Sequence, residues 1–376
     1  MIKKMDIITK LHQKCIVDKI KEIDWDNGSG SPLIVELDPT AVCDFACPGC
    51  ISEDLIATNN SFTYERLLKL AEEMKDAGVK GVILIGGGEP LAHPASKEIM
   101  RYFGENDISV GITTNGSFID RYMDEIALFS SWTRVSIDAA SEKMHRILRP
   151  TKNGSSKFQH IVKNMRLLAK IKKGKLGYSF LIRTEVEGDG VVSNIHEIYD
   201  AAVLAKDIGC DYFEIKPSYN YKNDVAHSLV KHSASRIEEM KEQIEKLNDL
   251  VDENFAITKA ITLDESLGGV RKKQVKTYTR CPVAELRTLI TPGGAYVCPY
   301  WRGKEKYRIG SVQSMAFKDM WESDLRKKVQ EWLNPSIHCA NLHCLRHETN
   351  LEIISIVDDI KNSGQIAIID NYDRFI

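Results

Sequence analysis

Three features of other protein classes are missing from this 376-residue chain. No stretch approaches the roughly 18 consecutive apolar residues of a transmembrane helix. Residues 1–25 are charged throughout, so they lack the apolar core of a secretory signal peptide. Acidic and basic residues nearly balance, 53 against 51, so the net charge of -2 offers no positive field for nucleic acid or an anionic membrane. These absences predict a cytoplasmic protein that binds neither nucleic acid nor membranes.

Cysteine is scarce, with nine residues, but it is unevenly distributed. A reducing cytoplasm disfavours a disulfide framework, so clustered cysteines are first considered as metal ligands. Cys43, Cys47 and Cys50 lie close together without a fourth cysteine. A structural zinc site needs four ligands, and the nearby Glu53 and Asp54 offer hard oxygens that match three soft thiolates poorly. A four-iron cluster held by three thiolates would leave one iron open to a small molecule, while a zinc site or a chance cluster is the alternative.

The spacing Cys-x3-Cys-x2-Cys and the later run GGGEP at residues 86–90 resemble the motifs of the radical S-adenosylmethionine (SAM) superfamily. The resemblance covers most of the chain. It implies that the three cysteines hold a 4Fe–4S cluster, that its open iron binds the amino and carboxylate groups of SAM, and that SAM is cleaved to methionine and a 5′-deoxyadenosyl radical. The family usually has an aromatic residue where this chain has Gly49. We expect the backbone contact at Gly49 to persist and Phe45 to shield the adenine.

Apolar runs with strand character alternate with amphipathic helical segments, which is typical of parallel β/α architecture. We predict an α/β fold, a partial (β/α)6 TIM-like barrel as in the superfamily, with a smaller C-terminal α+β iron–sulfur cluster domain. Such barrels carry their chemistry on the loops after the strands. The six predicted strands are residues 32–38, 81–86, 109–114, 133–138, 177–183 and 211–217.

Polar residues at the ends of these strands form the expected SAM site. Consecutive glycines let a backbone approach a ligand closely, and the resemblance implies that the GGEP residues bind the methionine amino group, with a plain turn as the alternative. Ser136 and Asp138 alternate with apolar neighbours, so they share a face, and their segment resembles the one that meets the ribose and the methionine carboxylate. The candidate SAM-binding residues are Gly87, Gly88, Glu89, Pro90, Asn115, Ser136 and Asp138.

No catalytic residue is identified by a motif. Arg183 closes the fifth predicted strand, and Glu214 and Lys216 alternate on the sixth. Each of the three could bind substrate, and each could equally be a partner in a buried ion pair.

Four further cysteines, Cys281, Cys298, Cys339 and Cys344, occur late in the chain. Apolar alternation on both sides of residues 292–294 predicts a β-hairpin that brings the first two together. The layout resembles the C-terminal extension called the twitch domain, a shorter relative of the SPASM domain, and the resemblance implies a second 4Fe–4S cluster with four thiolate ligands. Zinc remains an alternative.

Other residues near these cysteines leave the ligand set open. His338, His343 and His347 lie close enough in the sequence for one of them to replace a thiolate. Cys15 and Cys210 are left over. We expect Cys15 to pack on a helix and Cys210 to lie at the N-terminal rim of the barrel.

We divide the chain by sequence into four parts. They are an N-terminal helical segment (1–30), the radical SAM barrel (31–220), a helical linker (221–275) and the auxiliary cluster domain with a C-terminal tail (276–376).

The favoured function is oxidation of a small molecule, such as a sugar-like or cyclitol-like alcohol, with the second cluster as electron acceptor. A reducing protein such as flavodoxin or ferredoxin is the expected partner. The alternative is maturation of a ribosomally made peptide by crosslinking or epimerisation. The substrate is not identifiable from the residues.

Overall fold

The strands of the large sheet alternate with helices along most of the chain. A computed structural model describes residues 2–4, 8–187, 190–220, 228–270, 273–362, 364 and 366–369. Its strands are β1 (Lys3–Lys4), β2 (Ile34–Leu37), β3 (Gly81–Leu84), β4 (Ser109–Thr114), β5 (Ser130–Ser136), β6 (Lys175–Ile182), β7 (Thr184–Glu187), β8 (Gly190–Ser193), β9 (Tyr212–Pro217), β10 (Tyr219–Asn220), β11 (Ser228–Leu229), β12 (Ala256–Lys259), β13 (Arg287–Thr291), β14 (Gly294–Tyr296) and β15 (Arg308–Gly310).

The α-helices lie mainly between these strands and after them. They are α1 (Lys14–Glu22), α2 (Glu53–Thr58), α3 (Tyr64–Asp76), α4 (Ser96–Glu105), α5 (Met123–Phe129), α6 (Glu142–Leu148), α7 (Phe158–Ile171), α8 (Ile198–Ile208), α9 (Ala234–Lys246), α10 (Leu263–Ser266), α11 (Val283–Leu286), α12 (Phe317–Trp321), α13 (Asp324–Trp332), α14 (Pro335–His338) and α15 (His347–Asn362). No helix among the described residues combines the length and apolar character needed to cross a membrane.

One sheet of eleven strands organises the fold, in the order β1-β12-β9-β6-β5-β4-β3-β2-β13-β14-β15. Along this order of strands, each neighbouring pair between β1 and β13 is parallel. β14 is antiparallel to β13, and β15 is antiparallel to β14. The six predicted strands are present as β2, β3, β4, β5, β6 and β9, side by side in chain order. Within the described chain the two edge strands do not pair with each other, so the sheet is open, as a partial barrel requires.

Five further strands lengthen this sheet beyond the six predicted ones, and two of them, β12 and β13, pair directly with predicted strands. β12 pairs with β9, and β13 pairs with β2. Phe255 and Ile257 are buried, which explains why a segment assigned by sequence to a helical linker joins the sheet. The sheet therefore runs across the boundaries drawn at 220/221 and 275/276, and the division into four parts stays a prediction.

The two faces of the sheet have different coverings. Side chains alternate between the faces, so Val35 and Ile34 point in opposite directions. Val35 belongs to a core that includes buried residues of α3, α4, α7 and α8. Ile34 instead packs in a second apolar cluster with residues of α1 and α15. We call the Ile34 side the inner face, and it is apolar where α1 and α15 cover it.

The C-terminal hairpin is confirmed. β13 and β14 pair antiparallel around residues 292 and 293, with Thr291 opposite Gly294. The amphipathic segment after it forms two helices, α12 and α13, because the Ser323 side chain caps the second by accepting a hydrogen bond from the Arg326 N–H at 3.2 Å. Met320 and Trp321 are fully buried on the first of them, as their spacing predicts.

Candidate active site

The first three cysteines lie on the loop that follows β2, at the carboxyl edge of the parallel strands. Cys43, Cys47 and Cys50 are all partly exposed, and the Cys50 N–H donates to the Cys47 carbonyl at 3.3 Å. Burial raises the pKa of Cys43 to about 12 and also raises that of Cys47, which the charges of Arg149 and Arg183 oppose. A metal would therefore have to displace protons from neutral thiols here.

The GGGEP run packs directly beneath the cysteine loop. The Gly88 N–H donates to the Thr40 carbonyl at 3.1 Å, and the Glu89 N–H donates to the Val42 carbonyl at 2.9 Å. A Cβ at Gly88 would lie 2.3 Å from the Val42 oxygen, so only glycine fits. Gly88, the second glycine of the predicted GGEP motif, is therefore required by packing, besides any contact with a ligand.

Glu89 joins the ends of two strands. Its carboxylate accepts hydrogen bonds from the Thr114 hydroxyl at 2.6 Å, the Asn115 N–H at 2.7 Å and the Leu91 N–H at 3.1 Å. Burial raises the pKa of Glu89 to about 7. The structure thus engages both oxygens of this predicted SAM-binding residue within the protein, while Pro90 begins a buried turn beside it.

Asn115 connects the end of β4 to the cysteine loop. Its side-chain amide donates to the Asp44 carboxylate at 2.8 Å and lies 3.9 Å from the Cys43 sulfur. Lys157 binds the other Asp44 oxygen at 2.8 Å. This candidate is therefore placed beside the first cysteine.

Phe45 and Gly49 lie two residues before and two residues after Cys47, and both are predicted to lie near the adenine of SAM. Gly49 has φ +61°, a left-handed conformation that disfavours aromatic residues and explains why glycine stands there. Phe45 is buried and packs edge-on against His145, with ring centroids 5.8 Å apart. That position does not favour Phe45 as the cover of an adenine, and its role stays a prediction.

Ser136 and Asp138 are separated by the end of β5. Ser136 is the last residue of the strand and is partly exposed, whereas Asp138 is buried with φ +60°. The Asp138 carboxylate accepts from the Arg149 guanidinium at 2.7 and 2.8 Å and from the Leu181 N–H at 2.7 Å. Asp138 therefore orients Arg149 near the cysteine loop, and Ser136 is the one of the two with an accessible side chain.

Arg183 holds the cysteine loop. Its guanidinium donates to the Pro48 carbonyl, between the second and third cysteines, and to the Leu148 carbonyl at 3.1 Å. The side chain is buried. Of the three catalytic candidates, this one is placed as a positioning residue for the loop.

Glu214 and Lys216 belong to a buried ion-pair cluster on β9. Glu214 accepts from the Arg134 guanidinium at 3.1 Å and pairs with the Lys216 ammonium at 3.2 Å. The two cations outweigh the opposing effect of burial and lower the pKa of Glu214 to about 2. The structure thus places these two residues in buried ion pairs, which was the alternative to substrate binding in the sequence analysis.

Other charged residues of the inner face are absent from the sequence prediction. Glu36 lies two residues beyond Ile34 and pairs with Arg287, whose Nε is 2.9 Å from the carboxylate. Asp38 pairs with Arg302 at 2.9 Å, and burial raises the pKa of Asp38 to about 6. The sequence does contain one sign of these pairs, because Glu36 and Asp38 interrupt the apolar run of residues 32–38. Their partners are distant in the chain and follow only from the fold.

The late cysteines come together where the two ends of the hairpin meet the segment that precedes α15. Cys281, Cys298, Cys339 and Cys344 are close enough to raise one another's pKa, and burial raises the pKa of Cys281 to about 12 and of Cys339 to about 11. No three His, Cys, Asp or Glu side chains of the described residues are spaced to hold a single metal ion. The four sulfurs are a soft donor set, which fits an iron–sulfur cluster.

The three histidines near this set have other partners. His338 accepts from the Asn334 N–H at 2.9 Å, and His347 lies 3.2 Å from the Tyr278 hydroxyl. His343 faces Glu265 at 3.6 Å. Their engagement favours four thiolates over a mixed set.

The two remaining cysteines lie away from both groups. Cys15 packs against the apolar cluster between α1 and α15. Cys210 is buried just before β9, at the amino end of the parallel strands. Both positions agree with the structural roles expected from the sequence.

Comparison with known proteins identifies the family of the region that contains the first cysteine loop. The Radical SAM superfamily matches residues 37–189, which contain the cysteine loop and the GGGEP run. These residues form a radical SAM domain. The 4Fe–4S cluster and SAM expected from the sequence are the cofactors of such domains, so this expectation is confirmed for the domain.

Relatives and similar structures extend over more of the chain. The antilisterial bacteriocin subtilosin biosynthesis protein AlbA of Bacillus subtilis (strain 168) is 22% identical over 321 residues, 83% of this chain and 65% of AlbA. An AdoMet-dependent heme synthase of Methanosarcina barkeri is 25% identical over 50% of this chain and 51% of its own length. The chain thus spans less than two thirds of these relatives.

A solved structure has the same fold. Streptococcus suis SuiB bound to the precursor peptide SuiA superposes with a TM-score of 0.58 at 17% identity, covering 84% of this chain and 70% of SuiB. At this identity the likeness concerns the fold, and it confirms the TIM-like architecture with a C-terminal extension.

Proposed function

We propose that this chain is a radical SAM enzyme that modifies a ribosomally made peptide. The observation that carries the proposal is the match to AlbA over 83% of the chain, because AlbA is a biosynthesis protein of a bacteriocin. The fold shared with SuiB, a protein solved with its precursor peptide, supports the same substrate class. An open sheet also leaves one side through which an extended chain could reach the cysteine loop.

The proposed ligands of the SAM-binding cluster are Cys43, Cys47 and Cys50. Three partly exposed thiols on one loop, above a glycine cradle that a Cβ would fill, fit a 4Fe–4S cluster with one open iron. When bound, the cluster and SAM supply a 5′-deoxyadenosyl radical that removes a hydrogen atom from the substrate. Gly87, Gly88, Asn115 and Ser136 line the loop ends at which SAM would lie.

The protein's own contribution is to orient the cysteine loop. Arg183 holds the Pro48 carbonyl, and Asn115 holds Asp44 beside Cys43. The backbone of residues 148–152 fixes the other side, since the Ala46 N–H donates to the Pro150 carbonyl at 2.8 Å. Positioning of this kind keeps reacting groups in a productive geometry.

The late cysteines are proposed as the four ligands of an auxiliary 4Fe–4S cluster in a twitch/SPASM-like extension. Four thiolates leave no open iron, so the site suits electron transfer rather than substrate binding. A reducing protein such as flavodoxin or ferredoxin remains the expected electron partner.

Oxidation of a sugar-like or cyclitol-like alcohol was the favoured reaction from sequence, and the relatives do not support it. The AlbA match favours the peptide alternative because it spans most of the chain, whereas the heme synthase match spans half. We therefore replace the small-molecule substrate with a peptide.

The test is modification of a peptide by anaerobically reconstituted protein. Short peptides encoded next to the gene are incubated with SAM and a reductant, and masses are measured with and without the Cys43→Ala, Cys47→Ala, Cys50→Ala triple variant. The proposal expects a mass or retention change with the wild-type protein only. A change in a small metabolite, with every peptide unmodified, would contradict the peptide substrate.

A further inference from the structure

One group of charged residues on the inner face carries more positive than negative charge. We call this group the inner cluster, and it consists of Glu36, Asp38, Arg134, Glu214, Lys216, Arg287, Arg302 and Arg346. Each acid already has a partner: Glu36 pairs with Arg287, Asp38 with Arg302, and Glu214 with both Arg134 and Lys216. Within this cluster five cations therefore face three carboxylates, and the nearby Asp138, whose charge also acts on Lys216, is itself paired with Arg149.

Arg346 is the remaining cation of this cluster. Among the residues the structure describes, its guanidinium makes no hydrogen bond or salt bridge, although Arg287 and Glu36 are close enough to influence its charge. The side chain is only partly exposed. A guanidinium that loses much of its water without a hydrogen-bonded carboxylate is costly, so the site is prepared to receive an anion.

The position of Arg346 in the fold places its positive charge near the inner face. It directly precedes α15, which contributes Ile353 and Ile356 to the apolar cluster around Ile34. The amino end of this sixteen-residue helix therefore lies near the charged level of the sheet, where its dipole adds to the attraction for an anion. The first cysteine loop follows β2 at the carboxyl edge of these parallel strands.

We propose that the inner cluster binds a carboxylate of the substrate, and that Arg346 is the side chain that recognises it. The chemistry indicates a peptide with an aspartate or glutamate near the residue to be modified. A planar guanidinium can hold a carboxylate with two parallel hydrogen bonds, which gives orientation as well as attraction. The inference deepens the proposed function and rests on a peptide substrate.

The experiment measures binding without turnover. Reconstituted full-length protein is titrated calorimetrically at low salt with N-acetylglutamate amide and, as the uncharged match, with N-acetylglutamine amide. We expect the acidic amide to bind at least about tenfold more tightly, because a charge-assisted hydrogen bond is lost in the other. Equal affinities, or no detectable binding of the acidic amide, would overturn the proposal.

Variants locate the binding group. Arg346→Gln should weaken binding of the acidic amide at least about tenfold, and Arg346→Lys should weaken it less because the charge remains. Arg146→Gln, at an exposed position on α6, is the matched control and should bind as the wild type does. Should Arg346→Gln fail to fold, Lys216→Gln removes the other surplus cation and should also weaken binding, whereas unchanged affinity in that variant would overturn the proposal.

A second role for Arg346 makes a different prediction. Because Cys344 lies two residues away, the cation could instead balance the charge of an auxiliary cluster. Arg346→Gln would then change the electron paramagnetic resonance signal of that cluster and leave the affinity for the acidic amide unchanged, which would overturn our proposal. If the acidic amide binds as expected but no peptide is modified, the anion site stands and the peptide function fails.

Discussion

At the scale of single residues, Gly88 tests whether the GGGEP run supports the cysteine loop. A methyl group at this position would meet the Val42 oxygen at 2.3 Å, so Gly88→Ala must displace the loop. We expect iron binding after reconstitution to fall from roughly eight to roughly four atoms per chain, because the second cysteine site is unaffected. Iron analysis and visible absorption measure the change.

A matched glycine provides the control for this substitution. A methyl group added at Gly30 would meet no heavy atom of the described residues within 4 Å, its chain neighbours aside, so Gly30→Ala should keep full iron content. If Gly88→Ala also keeps full iron content, the packing argument for the loop is wrong.

Glu214 makes a prediction about stability and pH. Its pKa is about 2 in the folded protein against an ordinary value of 4.5, so its stabilising effect is present above pH 4.5 and is lost as pH falls towards 2. Glu214→Gln leaves Arg134 and Lys216 without this carboxylate and should lower the free energy of unfolding by roughly 3 kcal/mol at pH 7.

The pH series distinguishes this effect from a loss of packing. Denaturant unfolding at pH 7, 5 and 3.5 should show the difference between wild type and Glu214→Gln shrinking at the lowest pH. Glu238→Gln, at an exposed position on α9, should change little at any pH. A difference that stays constant with pH would refute the ion-pair explanation.

Individual residues also show where sequence reasoning stops. The cysteine spacing and the GGGEP run identified the radical SAM domain because their meaning is local. Arg183 and Asp138 were placed correctly at strand ends, but their partners, Pro48 and Arg149, depend on how distant loops meet. The position of Arg346 has no sequence signal at all, since only the fold brings α15 to the inner face.

At the scale of elements, the six barrel strands were easier to predict than the full extent of the sheet. The six barrel strands alternate with helices and carry apolar residues on at least one face, so their positions agree with the structure within a few residues. β12 was missed because four residues after a long helix look like a linker, and β13 was assigned only to its hairpin. Pairing with β9 and β2 is a tertiary property that local patterning does not contain.

The two groups of cysteines lie on different segments, with Cys281 and Cys298 beside the hairpin of β13 and β14. We therefore expect each site to bind its iron independently of the other. Replacing Cys281 and Cys298 by alanine should remove the auxiliary cluster and about half of the bound iron, yet leave cleavage of SAM at the first site. Both positions flank the hairpin and lie outside the cysteine loop after β2. Iron analysis and chromatography of 5′-deoxyadenosine measure the two properties.

The comparison variant for this experiment is Cys15→Ala. Cys15 is a partly buried cysteine that packs between helices, so its loss should change neither iron content nor SAM cleavage. Zinc in place of iron at the second site of the wild-type protein would assign these four cysteines a structural role.

For the molecule as a whole, we propose that an electron passes from the first cysteine site to the second during turnover. β13, beside the late cysteines, pairs with β2, which leads to the first cysteine loop, and Arg287 and Arg346 of the inner cluster lie near each other in this region. An enzyme of this layout is suited to removing a hydrogen atom at one site and passing an electron to the other.

The last prediction separates crosslinking from epimerisation of the peptide. In an oxidative crosslink the substrate loses two hydrogens and its surplus electron leaves through a fully ligated cluster, so the product is lighter and gains no solvent deuterium. In an epimerisation a hydrogen atom returns from a thiol, so mass is unchanged in light water and one deuterium enters in heavy water. Cys210 is the spare thiol, but it is buried at the amino ends of the strands, opposite the cysteine loop. We therefore expect a lighter product, 5′-deoxyadenosine in about equal amount, and little effect of Cys210→Ala. A product of unchanged mass whose deuterium disappears in Cys210→Ala would show that the peptide is epimerised instead.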